Sequence, residues 1–418
     1  MMVQTEIGLL PEDWEVVRLE NVGSFTKGCG ISRNDSQTGK IPAVRYGELY
    51  TDHNNYIKQF KSFISSEVAK TARKMKTGCI LFTASGETKE DIGKAVAFLD
   101  DIEAYAGGDL IILNPKADYC SLYLGYTLNS LISVRQRAMV AQGDSVVHIT
   151  TGAIRDTAIP VPYNLAEQQN IASALSSIDK LIDDLGRTIQ KKQLIREGAM
   201  EELLSGKKRL PGFTEEWVEK KICEIGKLTG AGVDKTSNPN EEPVRLLNYL
   251  DVYRRNHIAN CELHHKVTAT PDKIEKCNVK RGDIFFTPSS ELPDDIGQSA
   301  VAVEDMKGVC YSYHVYRLRP TMENYDADYG AYAFQTEFFF NQVKTQSEGS
   351  GKRYVVSLTK FRELSVMLPP SKDEQHAIAN ILTSMDDEIS VLQIEKAKYE
   401  QIRSGMMEEL LTGKKRLK

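Results

Sequence analysis

Apolar positions along this chain follow two periods, and the change from one to the other happens twice. Ile171, Leu175, Ile178, Ile182, Leu185 and Ile189 step alternately by four and three residues. That heptad spacing predicts a helix with one apolar seam made to face another helix. Ile378, Leu382, Met385, Ile389 and Leu392 repeat the pattern, and Lys396 interrupts it. Each helix is expected to start after a proline stretch, 160–162 or 369–370, with Asn164 or Ser371 as N-cap. Glu167 and Glu374, three residues on, complete a capping-box pattern. Gly206 and Gly413, each followed by Lys-Lys-Arg, are stop signals. The first helix is therefore expected over 165–204, roughly 60 Å at about 1.5 Å per residue.

Outside these helices the pattern breaks into short β-type runs, at 78–83, 94–98, 109–113 and 311–318, punctuated by Gly, Pro and Asn. Further helical stretches are expected over 122–137 and 331–343. Each such region reads as an α+β domain dominated by a twisted sheet.

The two halves are copies. EELLSGKKRL at 201–210 returns as EELLTGKKRL at 408–417, 207 residues later. The same offset aligns Glu167-Gln168 with Glu374-Gln375, Ile171-Ala172 with Ile378-Ala379, and Ile195-Arg196 with Ile402-Arg403. A more diverged match joins GCILFT at 78–83 to GDIFFT at 282–287. Trp14 and Trp217, the only tryptophans, pair as well, as do Gly23 and Gly226. The expected layout is a first domain over 1–157, a spacer helix over 158–210, a second domain over 211–364 and a second spacer helix over 365–418. The fold class is α+β: two similar domains separated by two long antiparallel coiled-coil helices, with pseudo-two-fold symmetry.

Composition limits the function classes. The 418 residues exceed one ordinary domain, and 41 % hydrophobic content supplies more than one core. Seven scattered cysteines argue against a disulfide framework and for a reducing cytoplasm. No apolar run approaches the ~20 residues needed to cross a bilayer, and the N-terminus lacks a secretory pattern. The net charge is -5, and even the most basic segment, 154–210, reaches only +1. Nucleic-acid binding must therefore rest on local patches or on a partner's charge.

The fragments that look catalytic do not hold up. GAGVDKT at 230–236 lacks the ending and spacing of a phosphate loop. Asn114-Pro115 and Asn238-Pro239 lack the aromatic of an amino-methyltransferase motif, and no Gly-rich cofactor loop follows a strand. Glu87-Thr-Lys89 has no lysine counterpart in the second copy. Cys261, His264, His265 and Cys277 are irregularly spaced for zinc. No catalytic residue, metal or cofactor is assigned to this chain.

The duplicated helical motif, Glu167-Gln168 through Leu210 and Glu374-Gln375 through Leu417, with openings at Trp14 and Trp217, resembles the specificity subunit of type I restriction–modification enzymes. The resemblance implies two target-recognition domains, each reading one half of a bipartite asymmetric DNA site. The helices would set the spacing and dock two modification subunits, which use S-adenosylmethionine. Restriction subunits using ATP and magnesium would complete the complex, and the chain itself would be non-catalytic. Two alternatives remain: fusion of recognition with methyltransferase or nuclease activity, and a coiled-coil adaptor that binds no DNA.

DNA-contact candidates are polar positions on expected loops that recur between copies. Ser85, Lys89 and Lys94 follow one strand in the first copy, and Ser289 and Ser290 follow its counterpart. Gln142 and Ser145 align with a loop carrying Ser350, Lys352, Arg353 and Tyr354. Arg45, Tyr46, Arg135, Arg137, Arg245, Arg254 and Arg255 are added because arginine reads guanine bidentately.

Overall fold

The computed structural model describes residues 1–417 apart from Arg254. The chain divides into two compact units. Unit 1 is Met1–Gly186 together with the segment from Ile394 onward, and unit 2 is Arg187–Gln393.

The core of unit 1 is an antiparallel sheet in the order Ala95–Ala97, Ile80–Thr83, Leu110–Pro115, Gly23–Lys27. Its apolar runs are continuous because both faces are buried. Ile80, Phe82, Ile111 and Leu113 enter one cluster, with Leu19, Ile154 and Ile159. Leu81, Leu110 and Ile112 alternate to the other face and meet Val44, Leu49 and Phe98. A second sheet runs Ser62–Ile64, Ile41–Val44, Tyr105–Ala106, Arg73–Lys74.

Unit 2 repeats this plan. Its central sheet runs Gly226–Thr229, Tyr316–Pro320, Ile284–Phe286, Ser299–Ala302, His257–Ile258. Ile284 and Phe286 face one cluster and Phe285 the other. The second sheet is Lys266–Ala269, Glu242–Leu247, Met306–Tyr311, Asn278–Val279. The paired glycines have a packing reason. A Cβ on Gly23 would lie 2.0 Å from the Asn114 carbonyl oxygen, and one on Gly226 would lie 2.2 Å from that of Arg319.

Three expected elements come out divided. The stretch 122–137 forms two helices, Ser121–Thr127 and Leu131–Val140. Asn129 sits between them and sends its amide to the carbonyls of Ala95 and Gly125, at 2.7 and 3.0 Å. The stretch 331–343 is a 3-10 turn, Tyr329–Ala331, and a helix, Glu337–Gln346. The run 311–318 breaks at a turn closed by Val315 N–H on the Ser312 carbonyl, 3.1 Å. It belongs to two strands, Met306–Tyr311 and Tyr316–Pro320.

The long helices span Leu165–Leu204 and Lys372–Leu410. Within unit 1, Glu167 meets Arg416 and Asp179 meets Arg403, so the segments run antiparallel. Within unit 2, Arg196 meets Asp386 and Arg209 meets Glu374, again antiparallel. The seam positions therefore do not face their own counterparts. Ile171 and Leu175 pack with Trp14, Leu410 and Leu411. Ile378 and Leu382 pack in the cluster that holds Leu203 and Leu204. Ile178, Ile189 and Ile389 are buried, while Ile182, Leu185, Met385 and Leu392 are half-buried.

The repeated Glu-Gln pair also has a different task from the one its spacing predicts. Glu374 accepts two hydrogen bonds from Arg209, at 2.8 and 2.9 Å, instead of closing a capping box. Glu167 accepts from Arg416 at 2.7 Å. Gln168 and Gln375 each close the loop before the helix, donating to the carbonyls of Pro162 and Pro369 at 3.1 and 2.8 Å. Thus the arginine of each Gly-Lys-Lys-Arg end clasps the start of the other helix. The clasping arginines follow Gly206 and Gly413, which turn the chain at φ +71° and +65° over Trp217 and Trp14.

Candidate nucleic-acid interface

In both units the strand after the central one leads to the same kind of exposed edge. In unit 1, Ser85–Gly86 pairs antiparallel with Val147–His148. The Ser85 hydroxyl lies 3.0 Å from His148 Nδ1, and Gln142 exchanges backbone hydrogen bonds with His148. Tyr50 supports this edge, its hydroxyl lying 2.6 Å from Thr83 Oγ1 and donating to the Ser85 carbonyl at 2.9 Å. Lys94 reaches the Tyr50 carbonyl at 3.5 Å, and burial lowers its ammonium below the usual lysine range. Ser145 and Lys89 lie exposed on adjoining loops.

In unit 2, Ser289–Ser290 pairs with Arg353–Val355, which also pairs with Glu348–Ser350. This edge borders a cleft of about 630 Å³. Lys235, Lys352, Arg353 and His314 supply its polar donors, Glu291 and Asp295 add two carboxylates to its lining, and Tyr249, Tyr253, Leu250 and Leu292 form its apolar wall. Arg353 donates to the Ser289 hydroxyl from Nη2 at 2.8 Å and from Nε at 3.3 Å, which fixes the guanidinium. Tyr249 and Tyr253 stack with centroids 5.8 Å apart. Burial, helped by Lys235 and Arg353, lowers His314 below its ordinary value, so its ring is neutral at neutral pH. A held arginine, lysines and flat aromatic faces can accept a phosphate and the edge of a base together.

The sequence-derived candidates separate on this geometry. Ser289, Ser290, Lys352 and Arg353 share the unit 2 cleft. Ser85, Gln142 and Ser145 share the unit 1 edge. Ser350 pairs with Arg353 in the adjoining strand, while Tyr354 packs partly into the core. Tyr46 and Arg135 are exposed, on the helices Tyr46–Thr51 and Leu131–Val140 and not on these strands. Arg45 is committed to Glu48 at 2.9 Å and to Ser62, Arg245 to the Asn260 carbonyl at 2.9 Å, and Arg255 to Asp251 at 3.4 Å. Arg254 lies outside the described residues. Arg137 is a correction. It is 1 % exposed, bonded through Nη2 to the Leu128 carbonyl, and pushed down to about 10 by burial, so it cannot touch DNA. Sequence reasoning missed Tyr249, Tyr253, Lys235 and His314. The i, i+4 spacing of the two tyrosines was the available signal.

The discounted zinc set stays apart among the described residues. Cys277 is buried on the Ala231 carbonyl, His265 bonds Asn248, and Cys261 is exposed. One other donor cluster, Asp326, Asp328 and His376, is close enough to share an ion. Its carboxylates are already occupied: Asp328 takes Arg281 at 2.8 and 3.0 Å, and Asp326 accepts two backbone N–H groups.

Comparison with known proteins agrees with this duplicated plan. The family description "Type I restriction modification DNA specificity domain" matches residues 11–194 and again 214–403. The MjaVIII type I restriction enzyme specificity subunit of Methanocaldococcus jannaschii is 25 % identical, over 98 % of this chain and 94 % of its own length. The fold is shared with the S subunit of a type I restriction–modification system from M. genitalium. The TM-score is 0.60 at 16 % identity, over 95 % of this chain and 96 % of that one. A chain from a structure of type I complex assembly and conformational transition gives 0.56 at 14 % identity, covering 97 % and 99 %. With both copies matched in sequence and the whole plan matched in fold, this chain belongs to the type I restriction–modification DNA specificity family.

Proposed function

We propose that this chain reads a bipartite, asymmetric DNA site for a type I restriction–modification complex, one half-site per unit. The supporting observation is that each unit carries its own edge of serine, basic and ring side chains at the equivalent point of the sheet. The chemistry at the two edges differs, so the half-sites differ. Unit 2 offers Arg353, Lys352 and stacked tyrosines. Unit 1 offers Ser85, His148 and Gln142.

The long helices set the gap between half-sites and dock two modification subunits. Each unit exposes large apolar side chains on its helix segments: Leu181, Ile394 and Ile402 in unit 1, Leu194, Ile195 and Val391 in unit 2. Such patches mark protein contacts. The modification subunits supply S-adenosylmethionine chemistry, and restriction subunits supply ATP- and magnesium-dependent translocation and cleavage. The complex works on double-stranded DNA in the cytoplasm. No helix among the described residues is long and apolar enough to cross a membrane.

The test is methylome sequencing of cells with and without the gene, followed by exchange of 214–357 for the same segment of a relative. One half of the methylated motif should change and the other persist. A swap that alters both halves, or a gene whose loss changes no methylation, overturns the proposal.

A further inference from the structure

Five side chains recur in both units in one arrangement, and none lies at a DNA-facing edge. In unit 1 the buried Asp179, on the first long helix, accepts from the Tyr126 hydroxyl at 2.7 Å and from the Asn55 amide at 3.5 Å. Arg403, on the second long helix, completes an ion pair with it. Asn129 fixes Asn55 by donating to its Oδ1 at 3.1 Å. In unit 2 the helices exchange parts. Asp386, on the second helix, accepts from Tyr332 at 3.0 Å and Asn256 at 3.1 Å. It also takes Nη2 of Arg196, on the first helix, at 3.3 Å. Gln335 fixes Asn256 through its Oδ1 at 2.9 Å. Burial is the main cause that holds both tyrosines far above the ordinary phenol range, so each remains a donor.

We infer that Asp179 and Asp386 are positioning residues: each locks a recognition domain and both helices of its unit into one register, and so restricts the DNA gap that the assembled reader accepts. This rests on the function proposed above.

The physical reason lies in the kind of contact. An apolar helix face resists separation but tolerates sliding, because dispersion has no direction. A carboxylate with a tyrosine, an amide and a guanidinium around it is satisfied in one register only. Sliding by one helical turn, about 5.4 Å, would leave the buried Asp179 or the half-buried Asp386 without its partners. Ion pairs taken wholly or partly out of water add little net stability over apolar packing, so a repeated one at the meeting point of three elements is best explained by geometry. A gap is a geometric quantity, and about 5.4 Å along a helix corresponds to between one and two base pairs.

The experiment uses the full chain assembled with its modification subunits. Asp179→Asn removes the charge that holds Arg403. Tyr126→Phe removes only the hydroxyl between the domain and the carboxylate and keeps the helix–helix ion pair. Single-molecule sequencing then counts methylated half-site pairs at every gap length. Both variants should keep the half-site bases and methylate sites with gaps one or two base pairs off at a frequency about tenfold above wild type. Asp386→Asn and Tyr332→Phe should do the same from the other unit. Methylation confined to the wild-type gap, a changed half-site, or loss of methylation in both variants without any new gap overturns the inference. A wild-type complex that methylates no bipartite site overturns the functional reading instead.

Discussion

His53 is 2 % exposed, and neither ring nitrogen has a hydrogen-bond partner among the described residues. Burial lowers its pKa below the ordinary histidine value; the nearby Glu48 and Asp52 carboxylates oppose the shift, and Lys94 and Lys61 add to it. The unfolded chain therefore binds a proton at this residue at higher pH than the folded chain does. The stability is fully present above about pH 6.5 and is lost as pH falls toward the lowered folded value. His53→Gln should flatten that acid-side loss, read as urea midpoints at pH 7 and pH 5.5. An equal midpoint drop in variant and wild type would place the titration elsewhere. Arg137 makes the complementary case. Its Nε and Nη1 are buried without a hydrogen-bond partner among the described residues, so part of the charge's desolvation goes uncompensated. Arg137→Met, of similar shape, should leave the chain as stable or more stable by roughly 1–3 kcal/mol in urea denaturation, with unchanged half-sites. A lower midpoint would show that the guanidinium has a partner on which the fold depends.

At the scale of elements, what could be read from the sequence follows the range of the interactions. The long helices were legible because a heptad repeat, a proline lead-in and a glycine stop are local signals, and the duplication showed each twice. The pairing partners were not. Nothing local says that Arg209 reaches Glu374, 165 positions away, or that Arg416 reaches Asp13 and Glu167. The capping-box spacing was real, yet the distant arginine took the carboxylate. At the candidate edge, the recurrence of Ser85 and Ser289 was visible. Whether an arginine near it is free or buried depends on packing no motif encodes, which is why Arg353 lies at the cleft and Arg137 does not. The antiparallel arrangement sharpens the test of the helices as a spacer. Four residues inserted after Leu185 and four after Leu392 leave the Asp179–Arg403 and Asp386–Arg196 pairs each intact within its unit. The methylated motif should keep both half-sites and gain about two base pairs of gap, for roughly 6 Å of added helix. The insertion after Leu185 alone should lower methylation instead. An unchanged gap in the double insertion would assign spacing to the modification subunits.

For the whole molecule, the two units need the same parts from the opposite helix. Unit 1 takes Arg403, Met406, Met407, Leu410, Leu411 and Arg416 from the second helix and the segment that ends it. The first helix and the segment that ends it carry Arg196, Ala199, Met200, Leu203, Leu204 and Arg209 at the matching positions, where they serve unit 2. A fragment of residues 1–210 should therefore form an antiparallel homodimer by sedimentation. With modification subunits it should methylate the first half-site joined to its inverted copy. A monomer at tens of micromolar would contradict the exchange of parts.

Unit 1 is also assembled from segments that leave the ribosome far apart in time. Trp14, Ile171 and Leu175 emerge early, but the side chains that cover them, Leu410 and Leu411, follow only after the whole of Arg187–Gln393. At roughly 5–20 residues per second, that apolar face waits on the order of 10–40 s for its cover. A nascent chain is thus exposed to chaperone capture or to premature pairing with a neighbouring nascent chain during that interval. A message broken before codon 394 leaves that face without its own cover, open only to the matching residues of a neighbouring chain.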